Sequence, residues 1–294
     1  MLKVLKFILK LIDVVIILVL IALHFVIKEQ TFWSSLFFYA FPLPVIILIV
    51  LVLSVVLTKR WRLYNLKIAL ILLLIWLGRS FKIHFPDEIK ASDLEIVFWN
   101  ASRDNDFQSV FNKNGNIPDV MVLVETGKYR IEDFKQKYPS YYFYKSDKQL
   151  FIFSKTPLQI KSENISQYNT TVIGFETAGI NFYAVDVTGS TDVPRSWELS
   201  YVNKYVNRTD NTIVLGDFNV PYESFYLKQF KKHFNQAFNE KGNGFRETWP
   251  YNIPLLSLDH IWVSKDLKVL KTKKFYSKVS DHCMLKTYIS KRNE

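Results

Sequence analysis

Apolar residues in this chain follow two rhythms. Up to about residue 80 they form long, nearly unbroken runs; beyond it they alternate with polar residues or gather in short clusters. Residues 11–27 are apolar apart from Asp13 and His24. A helix of that length spans about 25 Å, near the lower limit for crossing a bilayer. Residues 32–57 form a second run, in which Pro42 and Pro44 predict a kink or a fresh helix start before 45–57. The third run, 66–77, is short, but Lys67 and Arg79 can snorkel from it and Trp61 and Trp76 flank it as interface anchors. No small-x-small site follows the first run, and two more runs do, which argues against a cleavable signal peptide. The pattern predicts a membrane region over 1–80 with three helices, about 11–27, 32–57 and 63–79, then a polar linker over 81–93 containing Pro86, and one globular domain over 94–294.

Strand signals dominate the globular part. Residues 95–99 alternate and put Ile96 and Phe98 on one face, whereas 120–124 is the continuous apolar run of a buried strand. Further strands are predicted at 150–153, 181–187, 212–215, 260–263 and 284–289, and helices at 128–138, 197–208 and 222–233. Strands interleaved with helices in this way predict an α/β class: two packed sheets flanked by helices.

Charge changes the picture of the first segment. Residues 1–90 hold 11 Lys/Arg against 4 Asp/Glu, and the remainder holds 27 against 23, so most of the net +11 belongs to the apolar part. There it is a topology signal, and it gives no indication of affinity for polyanions. Lys3, Lys6 and Lys10 precede the first run, Lys28 alone lies between the first two, and Lys59, Arg60, Arg62 and Lys67 lie between the second and third. That alternation predicts a multi-pass protein with a cytoplasmic N-terminus and its globular domain outside the cytoplasm; a third run lying in the interface would reverse the domain's side. Cys283 is the only cysteine, which excludes an intrachain disulfide and a thiolate metal site.

Polar residues at predicted strand ends carry the candidate chemistry. Asn100 ends the first strand, Glu125 follows 120–124, and Asp217 and Asn219 follow 212–215, with Gly216 suggesting a tight turn. Asp259 and His260 precede 261–263, and Ser280, Asp281 and His282 precede the last strand. A single Asp or Asn at a strand end is most often a turn or a cap. Five such groups can instead converge on one sheet edge, where a hard cation finds oxygen ligands and a phosphoester finds a base and hydrogen-bond donors.

On these residues the chain resembles the endonuclease/exonuclease/phosphatase superfamily, which includes deoxyribonuclease I, AP endonucleases of the exonuclease III type, sphingomyelinases and inositol-polyphosphate phosphatases. The likeness covers about residues 94–290. Trp99-Asn100, Val122-Leu123-Val124-Glu125, Ser257-Leu258-Asp259-His260-Ile261 and Val279-Ser280-Asp281-His282 match family motifs, and Gly216-Asp217-Phe218-Asn219 is the most specific match. Phe151-Ile152-Phe153-Ser154-Lys155-Thr156-Pro157 is similar to a family strand segment, and Gly242-Asn243-Gly244-Phe245 with Thr248-Trp249-Pro250 is similar to a loop of its membrane-tethered bacterial members.

The resemblance implies a DNase I-like four-layer α/β sandwich and a Mg2+- or Mn2+-dependent hydrolase of phosphoester bonds. It implies that Glu125, with Asn100 and Asp281, serves the metal; that Asp217 orients or deprotonates water; that Asn219 donates to a phosphoryl oxygen; and that His282, positioned by Asp259, contacts the phosphate or shuttles a proton. Nuclease-type members carry a second His where this chain has Asp186, and the usual Gly before the 150–154 strand is Gln149. Asp186 is therefore a candidate site residue or a strand cap. The expected partners are a lipid bilayer and a phosphoester substrate, whether nucleic acid, phospholipid headgroup or small phosphoester. The alternative is an inactive membrane-anchored binding protein that kept the fold.

Overall fold

The structure, a computed structural model, describes residues 2–102, 107–127 and 130–291. It divides into two compact units, Met1–Phe81 and Lys82–Glu294.

The first unit is helical: α1 Leu2–Ala22 running into a π-helical turn Leu23–Ile27, α2 Phe32–Ala40, α3 Leu43–Val55 and α4 Lys59–Ser80. Pro42 is the N-cap of α3, so the proline pair starts a new helix, and α2 and α3 meet at 69°. Among the described residues α4 alone is long and apolar enough to cross a membrane, and the bent α2–α3 pair passes that test only as one broken span. The apolar run 11–27 is helical throughout, but Lys3, Lys6, Lys10 and Asp13 fall within α1, and the rest of the run lies in the π-helical turn. Ile17, Leu43, Ile46, Val50, Ala69 and Leu72 pack between α1, α3 and α4. Asp13, the acid interrupting the first run, is buried there and accepts a hydrogen bond from Asn65 Nδ2 at 2.8 Å. A polar pair of this kind joins helices where neither side chain can reach water.

The second unit holds two six-stranded sheets. Sheet I contains β1 Leu94–Asn100, β2 Val120–Val124, β3 Tyr142–Lys145 and β4 Phe151–Ser154. Sheet II contains β5 Gln159–Ile165, β6 Thr171–Thr177, β7 Ile180–Asp186, β8 Thr212–Asp217, β9 Phe234–Gln236 and β10 Asp259–Ser264. The chain then returns to sheet I with β11 Leu267–Phe275 and β12 Met284–Lys291. Strand order is β11-β12-β1-β2-β4-β3 in sheet I and β9-β10-β8-β7-β6-β5 in sheet II.

Alternation along the strands sorts the core. Ile96, Phe98, Val122 and Ile152 of sheet I meet Phe175, Phe182, Ala184, Ile213, Leu215 and Ile261 of sheet II. The opposite face of sheet I, with Val97, Trp99, Met121, Leu123, Phe151 and Phe153, is covered by Phe107 and Phe111 of α5 (Phe107–Asn114) and Phe134 of α6 (Ile131–Lys137). Both faces of β2 are buried, which is why it appears in the sequence as an unbroken apolar run.

Several elements depart from expectation. The helix expected at 222–233 is a 3-10 turn Phe225–Leu227, which Ser224 caps by accepting from the Tyr226 amide, followed by the short α8 Lys228–His233. The helix expected at 128–138 is α6; its first two positions, 128–129, lie outside the described residues. The helix expected at 197–208 is α7 Arg195–Tyr205, which begins directly after Pro194. Strands β3, β5, β6, β9 and β11 and helix α5 were not among the predicted elements. β5 is a sheet edge whose exposed and half-buried positions alternate, and β11, also an edge, carries four lysines. Edge strands with charged faces lack the apolar alternation that marks a strand. The segment expected to be a linker is fastened to the domain: the Asp87 amide donates to Leu270 O at 3.0 Å, and its carboxylate meets Lys241 and Lys268 at 3.2 and 3.1 Å.

Candidate active site

Each sheet has one parallel strand pair, and the candidate residues lie at the carboxyl ends of those pairs. In sheet I, β1 and β2 run in parallel with Asn100 opposite Val124, and Glu125 follows directly. In sheet II, β7 and β8 run in parallel with Asp186 opposite Asp217, while antiparallel β10 sets Asp259 on the other side of Asp217. Asp186, Asp217 and Asp259 thus stand abreast on three neighbouring strands. Gly216 lies within β8 and forms no turn. A Cβ there would fall 2.0 Å from the Val185 carbonyl oxygen, so glycine is what allows β8 to lie close against β7.

Asn100 joins the two halves. Its Nδ2 donates to Asp217 Oδ2 at 3.0 Å and to Glu125 Oε1 at 3.2 Å, while its Oδ1 accepts from the Ser102 amide at 3.1 Å. Glu125 adopts a left-handed backbone, φ 49°, unusual for a residue other than glycine. Asn219 shares that conformation, also at φ 49°. Its amide donates to Asp217 Oδ1 at 2.9 Å and its Nδ2 to Val187 O at 2.6 Å.

His282 Nδ1 lies 2.9 and 3.1 Å from the two Asp259 oxygens, and its Nε2 points to Asp217 Oδ2 at 3.8 Å. Asp259 therefore fixes the orientation of the ring and leaves Nε2 facing the carboxylate row. Asp281 lies apart from this row. Ser102 Oγ donates to its Oδ1 at 2.7 Å and Trp249 Nε1 to its Oδ2 at 2.8 Å. Its position is that of a brace for the loop before β12, since each of its oxygens already accepts one hydrogen bond. Asp186 is half-buried, and among the described residues nothing donates a hydrogen bond to its carboxylate.

Burial and crowding shift the titrations. Burial, with the Asp259 charge beside it, pushes Asp217 up to about 7, although His282, the Asn219 amide and Asn100 oppose the shift. Asp186 is pushed well above the usual carboxylate range by burial, then by Asp217 and Glu125. For His282, burial disfavours the cation, but Asp259 and Asp217 outweigh it and raise the ring to about 10. Burial also works against the Asp281 carboxylate, but hydrogen bonds from Ser102 and Trp249 hold it below the usual value. His260, the other half of the Asp-His pair, takes no part in this row. It is fully buried, with Nε2 3.3 Å from Val220 O, and burial lowers it to about 4.

Ser102 was not singled out beforehand, and Trp249 was noted only as part of the Thr248-Trp249-Pro250 loop; together they hold Asp281. Ser280, expected beside Asp281 and His282 before the last strand, donates through Oγ to Asn100 O at 2.8 Å. Beside Glu125 and Asp186 opens a cleft of about 480 Å3, lined also by Lys148, Gln149, Asn169 and Thr188. Gln149 adopts φ 59°, a conformation that favours glycine, at the position where the resemblance expects one.

A model of the endonuclease/exonuclease/phosphatase family matches residues 97–282, a span that opens three residues before Asn100 and closes on His282. The chain belongs to this family. Among solved structures, the endonuclease/exonuclease/phosphatase from Bacteroides vulgatus is 14% identical over 68% of this chain and 99% of that one, with a TM-score of 0.51. The family protein from Beutenbergia cavernae is 13% identical over 68% and 72%, with a TM-score of 0.52, and truncated TDP2 of Caenorhabditis elegans is 14% identical over 69% and 99%, with a TM-score of 0.51. At these identities the likeness is one of fold, the DNase I-like α/β sandwich. No curated protein matches the sequence.

Family phosphoesterases are typically divalent-metal dependent, and the donor set suits a hard cation. Oxygen dominates it, the carboxylates crowd one another, and the Asp186 carboxylate accepts no hydrogen bond among the described residues. Asp217, Asp259 and His282 each offer a ligand atom within 4.8 Å of the others. Asp259, however, is engaged by His282 Nδ1, so a cation held directly there would have to break that pair. Glu125 and Asn100 lie at the same place with Asp186 nearby, but they are engaged as well: Glu125 Oε1 accepts from Asn100 Nδ2 and Asn100 Oδ1 accepts from the Ser102 amide.

Proposed function

We propose that this protein is a membrane-anchored, Mg2+- or Mn2+-dependent phosphoesterase that hydrolyses a phosphodiester or phosphomonoester with water. The observation that carries the reading is Asn100, whose single amide nitrogen reaches both Glu125 and Asp217 and so draws the end of one sheet to the end of the other. Glu125 and Asn100 would hold the cation, with Asp186 close by and Asp281 bracing the loop. A bound divalent cation supplies positive charge to the phosphoryl oxygens and lowers the pKa of water.

The remaining chemistry belongs to the chain. Asp217, held by the Asn219 amide and Asn100, takes the proton of the attacking water, and a pKa near 7 suits a base at neutral pH. His282 is cationic at that pH and presents Nε2 to a phosphoryl oxygen, while Asp259 keeps the ring aimed. Asn219 commits its side-chain Nδ2 to Val187 O and serves Asp217 through its backbone amide. Purified full-length protein is tested on DNA, RNA, phospholipids and nitrophenyl phosphoesters, with EDTA and with added Mg2+ or Mn2+. Hydrolysis that EDTA abolishes and either metal restores is the expected result; none on any substrate would favour an inactive binding protein.

The anchor rests on exposed apolar surface. Leu18 and Val19 of α1, Leu48 and Val52 of α3, and Leu70 and Leu74 of α4 each leave more than half of their surface uncovered. Helices this apolar on their outer faces suit lipid better than water. With the Lys/Arg alternation, they support a cytoplasmic N-terminus and an extracytoplasmic domain. A reporter active only when exported should be active after Arg79 and silent after Lys59; the reverse would overturn this topology.

A further inference from the structure

Two loops border the site on the side of His282, and their outward residues are apolar. In the first, Tyr251 and Ile253 are 55% and 54% exposed; in the second, Val279 is 59% and Tyr276 is 41% exposed. The loops are tied together at their bases. The Tyr251 amide donates to Asp281 O at 2.7 Å, the Cys283 amide to Thr248 O at 2.9 Å, and Trp249 Nε1 to the Asp281 carboxylate. Tyr251 and Asn252 both have left-handed backbones, φ 49° and 68°, at the tip of the first loop. Tyr251 stands exposed there despite the cost of that conformation for a bulky residue. The apolar rim therefore includes Val279, three residues before His282, and its first loop is hydrogen-bonded to the segment that carries His282.

Charge on this rim has one sign. Residues 249–256 carry no charge, and 276–281 carry Lys278 and Asp281, of which Asp281 is turned inward to Ser102 and Trp249. Lys113 donates to Tyr276 O and adds a second cation at the base of the second loop. Tyrosine and aliphatic side chains beside lysine, with no outward acid among the described residues of the two loops, match the boundary between lipid headgroups and acyl chains. A nucleic acid would call for stacking platforms along the cleft that leads to the reacting groups, whereas the exposed rings here, Tyr251 and Tyr276, stand on the rim. The adjoining cleft has no aromatic side chain among its described lining residues, Tyr141 packs against Phe153 at 5.4 Å, and the Tyr144 hydroxyl is bonded to Glu163.

From this rim we infer that the domain docks on a lipid surface and draws its phosphoester from there, a phospholipid headgroup being the substrate class. The inference rests on the phosphoesterase reading above. The apolar rim enters the boundary layer, Lys278 and Lys113 face lipid phosphates, and the headgroup phosphoester meets His282 and Asp217 without leaving the surface.

The test uses full-length protein reconstituted in phosphatidylcholine–phosphatidylglycerol vesicles. Turnover of bilayer phospholipid is compared with turnover of soluble bis-p-nitrophenyl phosphate. Tyr251→Ser, Ile253→Ser and Val279→Ser combined should cut lipid turnover by about tenfold or more, since each side chain removes apolar area from water. Turnover of the soluble substrate should hold. Equal loss on both substrates, no loss on lipid, or a wild-type protein that hydrolyses only the soluble substrate would overturn the inference while leaving the phosphoesterase standing. A second measurement does not depend on activity. A fluorophore at Val279→Cys, selective because Cys283 is buried, should be quenched by doxyl-labelled lipid, whereas one at the exposed Lys161→Cys on β5 should not. Quenching at neither position, or equally at both, overturns the docking. Quenching at Val279→Cys with no hydrolysis of any substrate would overturn the proposed activity instead, and with it the headgroup as substrate.

Discussion

Sheet I joins β1 to β2 in parallel and sheet II joins β7 to β8 in parallel; every other neighbouring pair in either sheet is antiparallel. Both sheets present their candidate residues where the parallel pair ends. What they present differs. Sheet II sends three carboxylates abreast, Asp186, Asp217 and Asp259, each raising the burden on its neighbours. Sheet I sends an amide, one carboxylate and, from the loop before β12, an imidazole held cationic by that same row. The anionic strand ends come from one sheet and the groups that tolerate them mostly from the other, so the charge balance of the site exists only when the sheets are packed.

Breaking the anionic side should have the largest effect. Asp217→Asn keeps the shape and removes the base, and it should lower kcat by at least about a hundredfold, about 2.7 kcal/mol of transition-state stabilisation. His282→Ala, from the opposite sheet, should cost a comparable factor. Steady-state kinetics on the preferred substrate check both, and near wild-type turnover in Asp217→Asn would remove it from the base role. A smaller effect is expected from the metal side of sheet I: Glu125→Gln should raise the metal concentration for half activity by about tenfold or more while sparing much of kcat at saturating metal. A metal titration that superimposes on wild type would mean that the cation is held elsewhere.

The same comparison has a pH signature. Asp217 works ionised and His282 works protonated, so activity should rise as Asp217 loses its proton and fall as His282 loses its own, with limbs that are apparent values of a coupled group. The sign for stability follows. Folding raises Asp217 from 3.8 to about 7, so the folded protein binds that proton more tightly and loses stability as pH rises through this window. His282, raised from 6.5 to about 10, contributes stability below its unfolded value, which is lost as pH climbs towards 10. Melting in EDTA should therefore fall from pH 5 to pH 8 in the wild type and fall less in Asp217→Asn. An equal fall in both would show that Asp217 does not carry the shift.

Strand contact itself can be tested. Gly216→Ala would set a methyl group against the Val185 carbonyl and part β7 from β8, costing about 1–3 kcal/mol or more. Thermal melting would show it, together with loss of activity as Asp217 leaves register with Asp186. The smallest effect belongs to Gln149→Gly, which relieves φ 59° but frees the unfolded chain; the two terms nearly cancel, leaving a gain of about 1 kcal/mol or less.

Much of this was legible because buried strands announce themselves. β2 is an apolar run and nothing else, so Glu125 at its end could be placed from the chain alone, and Asn100, Asp217 and Asp259 stand at strand ends in the same way. Edge elements were not legible. β11 carries lysine at four of its nine positions, and α5 is eight residues whose apolar face shows only against sheet I. Within the site, the hold of Ser102 and Trp249 on Asp281 was not legible because these residues are distant in sequence and no local pattern records a pairing across the fold. Gly216 was noticed for the wrong reason: its smallness serves a neighbouring strand and no turn is involved.

Residues 84–87 deserve a mechanical reading. His84 and Asn243 exchange two backbone-to-side-chain hydrogen bonds, of 2.7 and 2.9 Å, and Asp87 is gripped by two lysines and by Leu270 in the middle of β11. A segment fastened in this way behaves as a strain relief: any pull on it is shared by several weak bonds in parallel, at a strand that carries none of the reacting groups. Residues 84–87 therefore belong to the domain mechanically, and the stretch left to serve as a connector is shorter than a count of polar residues suggests.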